Sequence, residues 1–190
     1  MINNKPRGKL ILGFTGLMAC GKGAAAKYLE TKYQASTYRF STMLRDMLTR
    51  IHLEHSRNNL VKMSECVRGT FGEGTMARTI AKDVEQDKNK IIIIEGIRRL
   101  ADIEYLSKLS NFVLVEIFAD AAVRHARMNR RGENPDDTGK TFAQFMEDHK
   151  RSTEMTIPEV ASHATERIDN NGNLQDLYRQ LDALVKKYKK

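Results

Sequence analysis

The segment GLMACGKG, residues 16–23, constrains the fold of this chain more than any other stretch of its sequence. It follows an apolar run, LILGF at 10–14, and leads into an Ala- and Lys-rich segment with helical character. The glycines of a G-x-x-x-x-G-K spacing let backbone N–H groups turn inward around a phosphate chain, and a helix that begins there adds the positive end of its dipole. The order strand, loop, helix therefore predicts a phosphate-binding loop in which Lys22 reaches the β- and γ-phosphates of a nucleotide.

The rest of the chain alternates short strand-like runs with helical segments. The runs IIII at 91–94 and FVLVEIF at 112–118 are apolar without alternation, which is typical of parallel strands covered on both faces. Weaker strands are predicted at 36–40 and 166–169. Helices are predicted at 22–33, 42–53, 60–84 with a break near GTFGEG (69–74), 99–109, 121–131, 141–153 and 174–189. This alternation predicts an α/β protein of three α/β/α layers around a five-stranded parallel sheet.

Composition limits the classes of protein that the chain can belong to. A length of 190 residues fits one domain, and 41% hydrophobic with 29% charged residues suits a soluble protein. The net charge of +8 is compatible with nucleic acid or with small polyanionic substrates. No apolar run is long enough to span a bilayer, and the two cysteines form no CxxC pair. We therefore expect a cytoplasmic protein with reduced thiols and no membrane partner.

Gly23 stands where most phosphate-binding loops carry a Ser or Thr that ligates Mg²⁺. In this respect the loop resembles the G-x-x-G-x-G-K-G loop of adenylate kinases, in which Mg²⁺ is held largely through water and the oxygens of the nucleotide. The resemblance implies ATP and Mg²⁺ as cofactors, although Ala24 replaces the Thr that is common next in that family. The residues expected to contact the donor nucleotide are Gly16, Leu17, Met18, Ala19, Cys20, Gly21, Lys22, Gly23, Ala24 and Arg124.

The segment FSTMLRDML at 40–48 resembles the S-T-G-D-x-L-R segment that holds the acceptor in adenylate kinases. Ser41, Thr42 and Arg45 fall on the corresponding positions, and an arginine can bind an acceptor phosphate through two hydrogen bonds. Arg68, just before GTFGEG, is a further candidate for the acceptor. The alternative for both arginines is a position on a helix surface, paired for Arg45 with a nearby acid.

The strand IIIIE ends in EGIRR, which is similar to the D-G-F-P-R segment of the same family. Glu95 takes the place of the family's Asp, and the resemblance implies that it orients Mg²⁺ through water. Arg98 lies near the family's arginine and is expected to bind the acceptor and act in catalysis. Both residues follow the carboxyl end of a strand, where ligands bind in open parallel sheets.

Four arginines cluster in RHARMNRRGENPDD, at 124, 127, 130 and 131. This segment resembles the arginine-bearing lid of small kinases, and the resemblance implies that Arg124, Arg127 and Arg131 stabilise the transferring phosphoryl group. Arg127 and Arg131 lie one helical turn apart, so their side chains can converge. We assign the lid to about 127–140.

Taken together, these segments resemble the P-loop nucleoside monophosphate kinase superfamily, with its adenylate kinase-like and dephospho-CoA kinase-like members. The resemblance implies a single P-loop kinase domain over 1–190, with an acceptor-binding helical region at about 41–88, acting as monomer or homodimer. It implies transfer of the ATP γ-phosphoryl group to a small phosphorylated acceptor, above all a nucleoside or deoxynucleoside monophosphate. The sequence leaves the base, the sugar and the choice between ATP and GTP open.

Two alternatives remain from the sequence. Dephospho-CoA would be a hydroxyl acceptor and would favour a carboxylate base, whereas the second strand ends in Arg39, Phe40 and Ser41 instead of the Asp usual in such kinases. A regulatory or RNA-associated ATPase is compatible with Gly23 and with the basic charge. Nucleic acid is the less favoured partner, because the sequence has no aromatic-rich RNA-binding segment.

Overall fold

The computed structural model describes residues 8–131 and 139–188. Its centre is a sheet of five parallel strands in the order β2-β3-β1-β4-β5. The strands are β1 (Leu10–Thr15), β2 (Ser36–Arg39), β3 (Ile91–Glu95), β4 (Phe112–Phe118) and β5 (Glu166–Asp169). Because every strand runs in the same direction, the carboxyl ends of all five lie at one edge of the sheet.

Helices connect the strands and cover both faces of the sheet. They are α1 (Lys22–Tyr33), α2 (Phe40–Arg50), α3 (Arg57–Phe71), α4 (Thr75–Gln86), α5 (Leu100–Leu106), α6 (Ala121–Arg131), α7 (Phe142–Glu147), α8 (Ser152–Met155), α9 (Ile157–Ser162) and α10 (Leu174–Tyr188). A 3₁₀ turn, Asp148–Lys150, lies between α7 and α8.

The core lies in two layers, one on each side of the sheet. On one side, alternate residues of β1 such as Leu12 and Phe14 pack against α1 and α10. On the other side, Ile11 and the isoleucines Ile92 and Ile94 of β3 pack against α2, α4, α5 and α9. The strand β3 is buried along its whole length, as the run without alternation predicts. These two layers and the sheet between them confirm the predicted three-layer α/β/α fold with a five-stranded parallel sheet.

The five predicted strands all exist, within one residue of their predicted ends. The helical segment predicted at 60–84 is broken as expected, by Gly72 with φ 97° and the turn that follows it. The single helix predicted at 141–153 is wrong: the chain forms α7, the 3₁₀ turn and α8 instead. α9 was not predicted at all; it begins with a proline in its first turn and buries Ile157 and Val160.

Most of the lid predicted at about 127–140 lies outside the described residues, since these stop at 131 and resume at 139. Within 8–131 and 139–188, none of the helices combines the length and the apolar composition needed to cross a bilayer.

Candidate active site

The loop between β1 and α1, residues 16–23, is called the phosphate loop below. Gly16 and Gly21 both have positive φ, 138° and 108°. A Cβ at Gly16 would collide with the carbonyl oxygen of Ile117, and one at Gly21 with Nδ2 of Asn170. Both positions therefore require glycine for backbone conformation and for space. The loop turns tightly at the carboxyl edge of the sheet and delivers the chain to the first turn of α1.

Lys22 is the first residue of α1, and its ammonium group lies over the phosphate loop. Nζ donates to the carbonyl oxygens of Gly16 at 2.6 Å and Leu17 at 3.1 Å, and contacts Sγ of Cys20 at 3.4 Å. The positive charge is thereby held above a ring of backbone groups at the amino end of a helix. A negatively charged ligand is attracted to such a position by the ammonium group and by the helix dipole together.

Three side chains from distant parts of the chain hold the phosphate loop in place. Asn170, in the loop after β5, donates from Nδ2 to the carbonyl of Cys20 at 2.8 Å. Arg124 of α6 donates to the carbonyl of Met18 at 3.3 Å, and Glu154 of α8 accepts the Met18 N–H at 3.1 Å. All three side chains are buried. The conformation of the loop is thus fixed from outside by hydrogen bonds as well as by its own glycines.

A cavity opens beside the phosphate loop, beyond the ends of β2 and β3. The phosphate loop forms one wall of this cavity. Its lining includes the positively charged side chains of Lys22 and six arginines, and apolar side chains mainly from α2 and α3. We call it the arginine-lined cavity, and its arginines are Arg39, Arg45, Arg57, Arg68, Arg98 and Arg99. Among the described residues, Glu95 is the one carboxylate in its lining. Such a surface is complementary to a small molecule with several negative charges and an apolar part.

Glu95 ends β3 and lies directly opposite Arg39, the last residue of β2, in the parallel register. Oε1 of Glu95 accepts a hydrogen bond from the Arg39 guanidinium at 3.0 Å, and the Glu95 side chain is only 4% exposed. A Cβ placed on Gly23 would lie 3.2 Å from the same guanidinium. The Arg39 guanidinium, the Glu95 carboxylate and the residue that follows the loop lysine therefore lie close together.

These surroundings do not fit a Mg²⁺ ion held by the protein. Mg²⁺ needs oxygen ligands in a near-octahedral arrangement, but Gly23 and Ala24 offer no hydroxyl and Glu95 is bound to a guanidinium. In the described part of the chain, there is also no cluster of three or more His, Cys, Asp or Glu side chains that could hold a metal. The role of Glu95 in orienting Mg²⁺ through water stays a prediction, and the donors seen here do not favour it.

Arg98 follows β3 and reaches Glu154, whose carboxylate it contacts by a close ion pair. Glu154 is 2% exposed. Burial alone would raise its pKa, but the charges of Arg98 and Lys22 and the Met18 N–H together lower the pKa below its usual value. Glu154 is therefore a buried anion that contacts both the phosphate loop and an arginine of the cavity.

Arg68 of α3 is 5% exposed and lies in the wall of the cavity. It donates to Asp102 at 2.9 Å and to the carbonyl of Glu73 at 2.5 Å, and its Nε has no hydrogen-bond partner among the described residues. Burial raises the pKa of Asp102, although Arg68 opposes the shift. Arg68 thus has a structural partner, and its contact with an acceptor stays a prediction.

A second cavity lies on the other side of the phosphate loop and shares Ala19 and Gly21 with the arginine-lined cavity. It is lined by Arg127 and Arg130 of α6 and by the loop 170–174. Arg127 donates to the carbonyl of Gly172 at 3.3 Å. The two cavities therefore adjoin at the phosphate loop, and cationic side chains line both of them; we call the two cavities together the groove.

The structure brings most of the predicted site residues to this groove, but not all. Ser41 and Arg45 line the arginine-lined cavity, whereas Thr42 is exposed on α2 and is not in its lining. Arg124 is buried behind the phosphate loop, where it positions backbone rather than facing the groove. The side chain of Arg131, at the end of α6, lies outside the described residues.

Sequence reasoning missed Glu154 and the pairing of Arg39 with Glu95. Glu154 lies in the segment 142–155, in which no residue is assigned a site role from the sequence, and its contacts span more than 50 residues of sequence. The position of Arg39 could have been predicted, because Arg39 ends a predicted strand and the carboxyl ends of parallel strands lie at one edge of the sheet. Arg57 and Arg99 also reach the cavity and were not singled out from the sequence.

Comparisons with other proteins show which proteins this chain is similar to. No protein-family model matches the chain. A UPF0200 protein of Methanocaldococcus jannaschii is 27% identical over 190 residues, covering 95% of each chain. A UPF0200 protein of Pyrococcus abyssi is 26% identical over 183 residues, covering 94% of this chain and 96% of the relative. The chain is thus similar to UPF0200 proteins over nearly its whole length.

Solved structures of kinases share the fold. Shikimate kinase of Bacteroides thetaiotaomicron superposes with a TM-score of 0.64 at 15% identity, covering 94% of this chain and 97% of that one. A gluconokinase of Sinorhizobium meliloti gives a TM-score of 0.57 at 9% identity, covering 95% and 96%. The chain has the P-loop kinase fold.

Proposed function

We propose that the protein is an ATP-dependent phosphotransferase that acts on a small phosphorylated acceptor, a nucleoside or deoxynucleoside monophosphate. The observation that carries the proposal is that the two cavities of the groove share residues of the phosphate loop in their linings. A donor in the second cavity and an acceptor in the arginine-lined cavity would bring their phosphates together at Ala19, Gly21 and Lys22. The kinases among the structures with the same fold support this class of reaction.

Each side of the groove has the chemistry that its substrate requires. On the donor side, the amides of the phosphate loop and Lys22 bind the triphosphate, Arg127 stabilises the transferring phosphoryl group, and the loop 170–174 faces the nucleoside. On the acceptor side, Arg45 and Arg98 bind the acceptor phosphate, and Phe40 and other apolar residues contact its base. The arginines also stabilise the charge that develops on the transferring phosphoryl group.

A phosphate acceptor fits the groove better than a hydroxyl acceptor such as dephospho-CoA. A hydroxyl nucleophile benefits from a carboxylate base, and the one carboxylate lining the arginine-lined cavity, among the described residues, is already paired with Arg39. A phosphate oxygen is ionised at neutral pH and needs no base.

The test is to incubate the protein with ATP and Mg²⁺ and a panel of nucleoside monophosphates plus dephospho-CoA, and to identify the products by mass spectrometry. We expect a monophosphate to be converted to its diphosphate in step with ADP formation. Loss of phosphate from ATP with no acceptor consumed would favour the regulatory or RNA-associated ATPase instead. Phosphorylation of dephospho-CoA alone would favour the other alternative.

Replacing Arg45 tests the acceptor side specifically. The change Arg45→Gln is expected to raise the KM of the acceptor by about tenfold, the value of one charge-assisted hydrogen bond, and to leave the KM of ATP unchanged. Arg50→Gln is the matched control, because Arg50 is exposed on the same helix and does not line the cavity. Equal effects of both changes on the acceptor would contradict the assignment of Arg45.

A further inference from the structure

The arginine at the end of β2 lies beside the loop residue that, in most phosphate-binding loops, contributes a ligand to a metal. The residue after the loop lysine normally brings a hydroxyl to that metal, and here it is Gly23. A Cβ on Gly23 would lie 3.2 Å from a guanidinium nitrogen of Arg39 and 3.9 Å from Oε2 of Glu95. A serine or threonine at this position would therefore crowd the guanidinium. Gly23 and Arg39 are thus close neighbours, and the absence of a side chain at Gly23 gives the guanidinium room beside the loop.

The backbone determines where Arg39 lies. Arg39 and Glu95 are register partners at the carboxyl ends of adjacent parallel strands, so their side chains start from one edge of the sheet. Glu95 is buried, whereas about a third of the Arg39 side chain (35%) remains exposed. Arg39 lines the arginine-lined cavity together with Lys22 and Gly23. The buried carboxylate thus holds a guanidinium that lines the same cavity as the phosphate-loop residues Lys22 and Gly23.

The charges at this position are those of an arginine site rather than a metal site. A divalent cation between Gly23 and Glu95 would lie within a few ångströms of the guanidinium and would be repelled by it. It would also have to compete with Arg39 for the oxygens of Glu95. An arginine, in contrast, remains charged at all physiological pH values and matches the geometry of phosphate oxygens.

We propose that Arg39 is a phosphate-binding residue that replaces the protein-held metal and contacts the terminal phosphates of a bound nucleoside triphosphate. The inference rests on the proposed nucleotide site, but not on the identity of the acceptor. Mg²⁺ that arrives with the nucleotide is then coordinated by phosphate oxygens and water, with no ligand from Gly23 or Glu95. Binding of the triphosphate depends on Arg39 most strongly when Mg²⁺ is absent.

The experiment is a calorimetric titration of the full chain with ATP, once in excess EDTA and once in excess Mg²⁺, for the wild type and for Arg39→Gln. For the wild type we expect affinities in the two conditions to agree within about tenfold, because a fixed cation already neutralises part of the phosphate charge. The Arg39→Gln variant loses one charge-assisted contact and leaves the Glu95 charge unpaired. We therefore expect its affinity for ATP to fall by about tenfold or more in EDTA, and by less in Mg²⁺.

Two further variants keep the test valid if Arg39→Gln does not fold, since that change leaves the buried Glu95 without its cation. Arg39→Gln combined with Glu95→Gln removes both charges and is expected to fold while still losing affinity in EDTA. Arg39→Lys keeps the charge and is expected to retain most of the affinity. Arg167→Gln is the matched control, because Arg167 also pairs with a glutamate of the adjacent parallel strand, Glu116 at 3.3 Å, and lines neither cavity. Its ratio of affinities in EDTA and Mg²⁺ is expected to equal that of the wild type.

Different failures have different meanings. Wild-type binding that requires Mg²⁺, or an Arg39→Gln variant with an unchanged EDTA-to-Mg²⁺ ratio, would overturn the role of Arg39 and leave the proposed kinase intact. Weakened binding of a monophosphate but not of ATP in Arg39→Gln would also overturn it, because Arg39 would then belong to the acceptor site. Absence of ATP binding in both conditions for the wild type would overturn the proposed function itself.

Discussion

At the scale of single residues, the site depends on a few charged side chains whose contacts join different parts of the chain. Glu154 is the clearest case, because one buried carboxylate contacts Met18 in the phosphate loop and Arg98 in the arginine-lined cavity. Its negative charge lies near the position proposed for the triphosphate, so it would weaken nucleotide binding while it orients the groups around the nucleotide. Glu154 is a positioning residue in this account.

Replacing Glu154 separates these two effects. The change Glu154→Gln keeps a carbonyl oxygen for the Met18 N–H but removes the charge. We expect ATP to bind as tightly as before or a few-fold more tightly, and turnover to fall by about tenfold because Arg98 loses the partner that orients it. Affinity is measured by calorimetry and turnover by ADP formation.

Glu147→Gln is the control for this change. Glu147 belongs to the same segment, but its side chain is 67% exposed and pairs with Lys150 at the surface. The control should match the wild type in both measurements. A Glu154→Gln variant with unchanged turnover, or with ATP affinity lost in proportion to turnover, would show that Glu154 does not position the reacting groups.

At the scale of elements, ion pairs to one buried carboxylate tie the parts of the segment from 139 to 155 to one another. Asp148, in the 3₁₀ turn, accepts hydrogen bonds from Lys140 at 2.6 Å and from Arg151 at 2.9 Å, and it is 6% exposed. Burial alone would raise the pKa of Asp148, but the two cations together lower it. Because the folded protein binds a proton at Asp148 less readily than the unfolded chain, this carboxylate stabilises the fold above the unfolded pKa.

The consequence is a pH-dependent effect of Asp148→Asn. At neutral pH the variant is expected to be less stable than the wild type by about 1–3 kcal/mol, the usual cost of losing a charged hydrogen-bond partner. The difference should shrink as the pH falls below about 4, since the wild-type carboxylate is then protonated as well. Urea unfolding at a series of pH values measures this difference in the free energy of unfolding. Asp46→Asn is the control, because Asp46 is an exposed aspartate of α2. A stability difference that does not vary with pH would contradict the ion-pair account.

At the scale of the whole molecule, the sequence predicts the fold better than it predicts the site. The strands β3 and β4 are apolar runs of strand length, and the glycine spacing of the phosphate loop fixes how β1 joins α1, so the order of layers follows from local signals. The break between α3 and α4 likewise comes from local glycines. α9 escaped prediction because a six-residue helix has too little periodicity to be recognised.

The contacts of the site are a different matter, because they are made between residues far apart in the chain. Arg39 and Glu95 are 56 residues apart, and Met18 and Glu154 are 136 apart. These residues are close because of the strand order and the helix packing. A local sequence pattern does not predict which distant residues those arrangements bring together. The motif-bearing residues Lys22, Arg45 and Arg98 could therefore be expected at the groove, whereas Glu154 became visible only in the structure.

The central claim is that the phosphate loop binds the triphosphate of a nucleotide, and titration calorimetry with nucleoside triphosphates tests it most directly. The account predicts saturable binding with one site per chain, weakened by about tenfold or more in Lys22→Ala, since the lysine supplies the charge over the loop. Lys27→Ala is the matched control, because Lys27 lies on the same helix with a side chain that is 77% exposed. Absence of binding heat with every purine and pyrimidine triphosphate, or equal affinities for Lys22→Ala and Lys27→Ala, would contradict the claim.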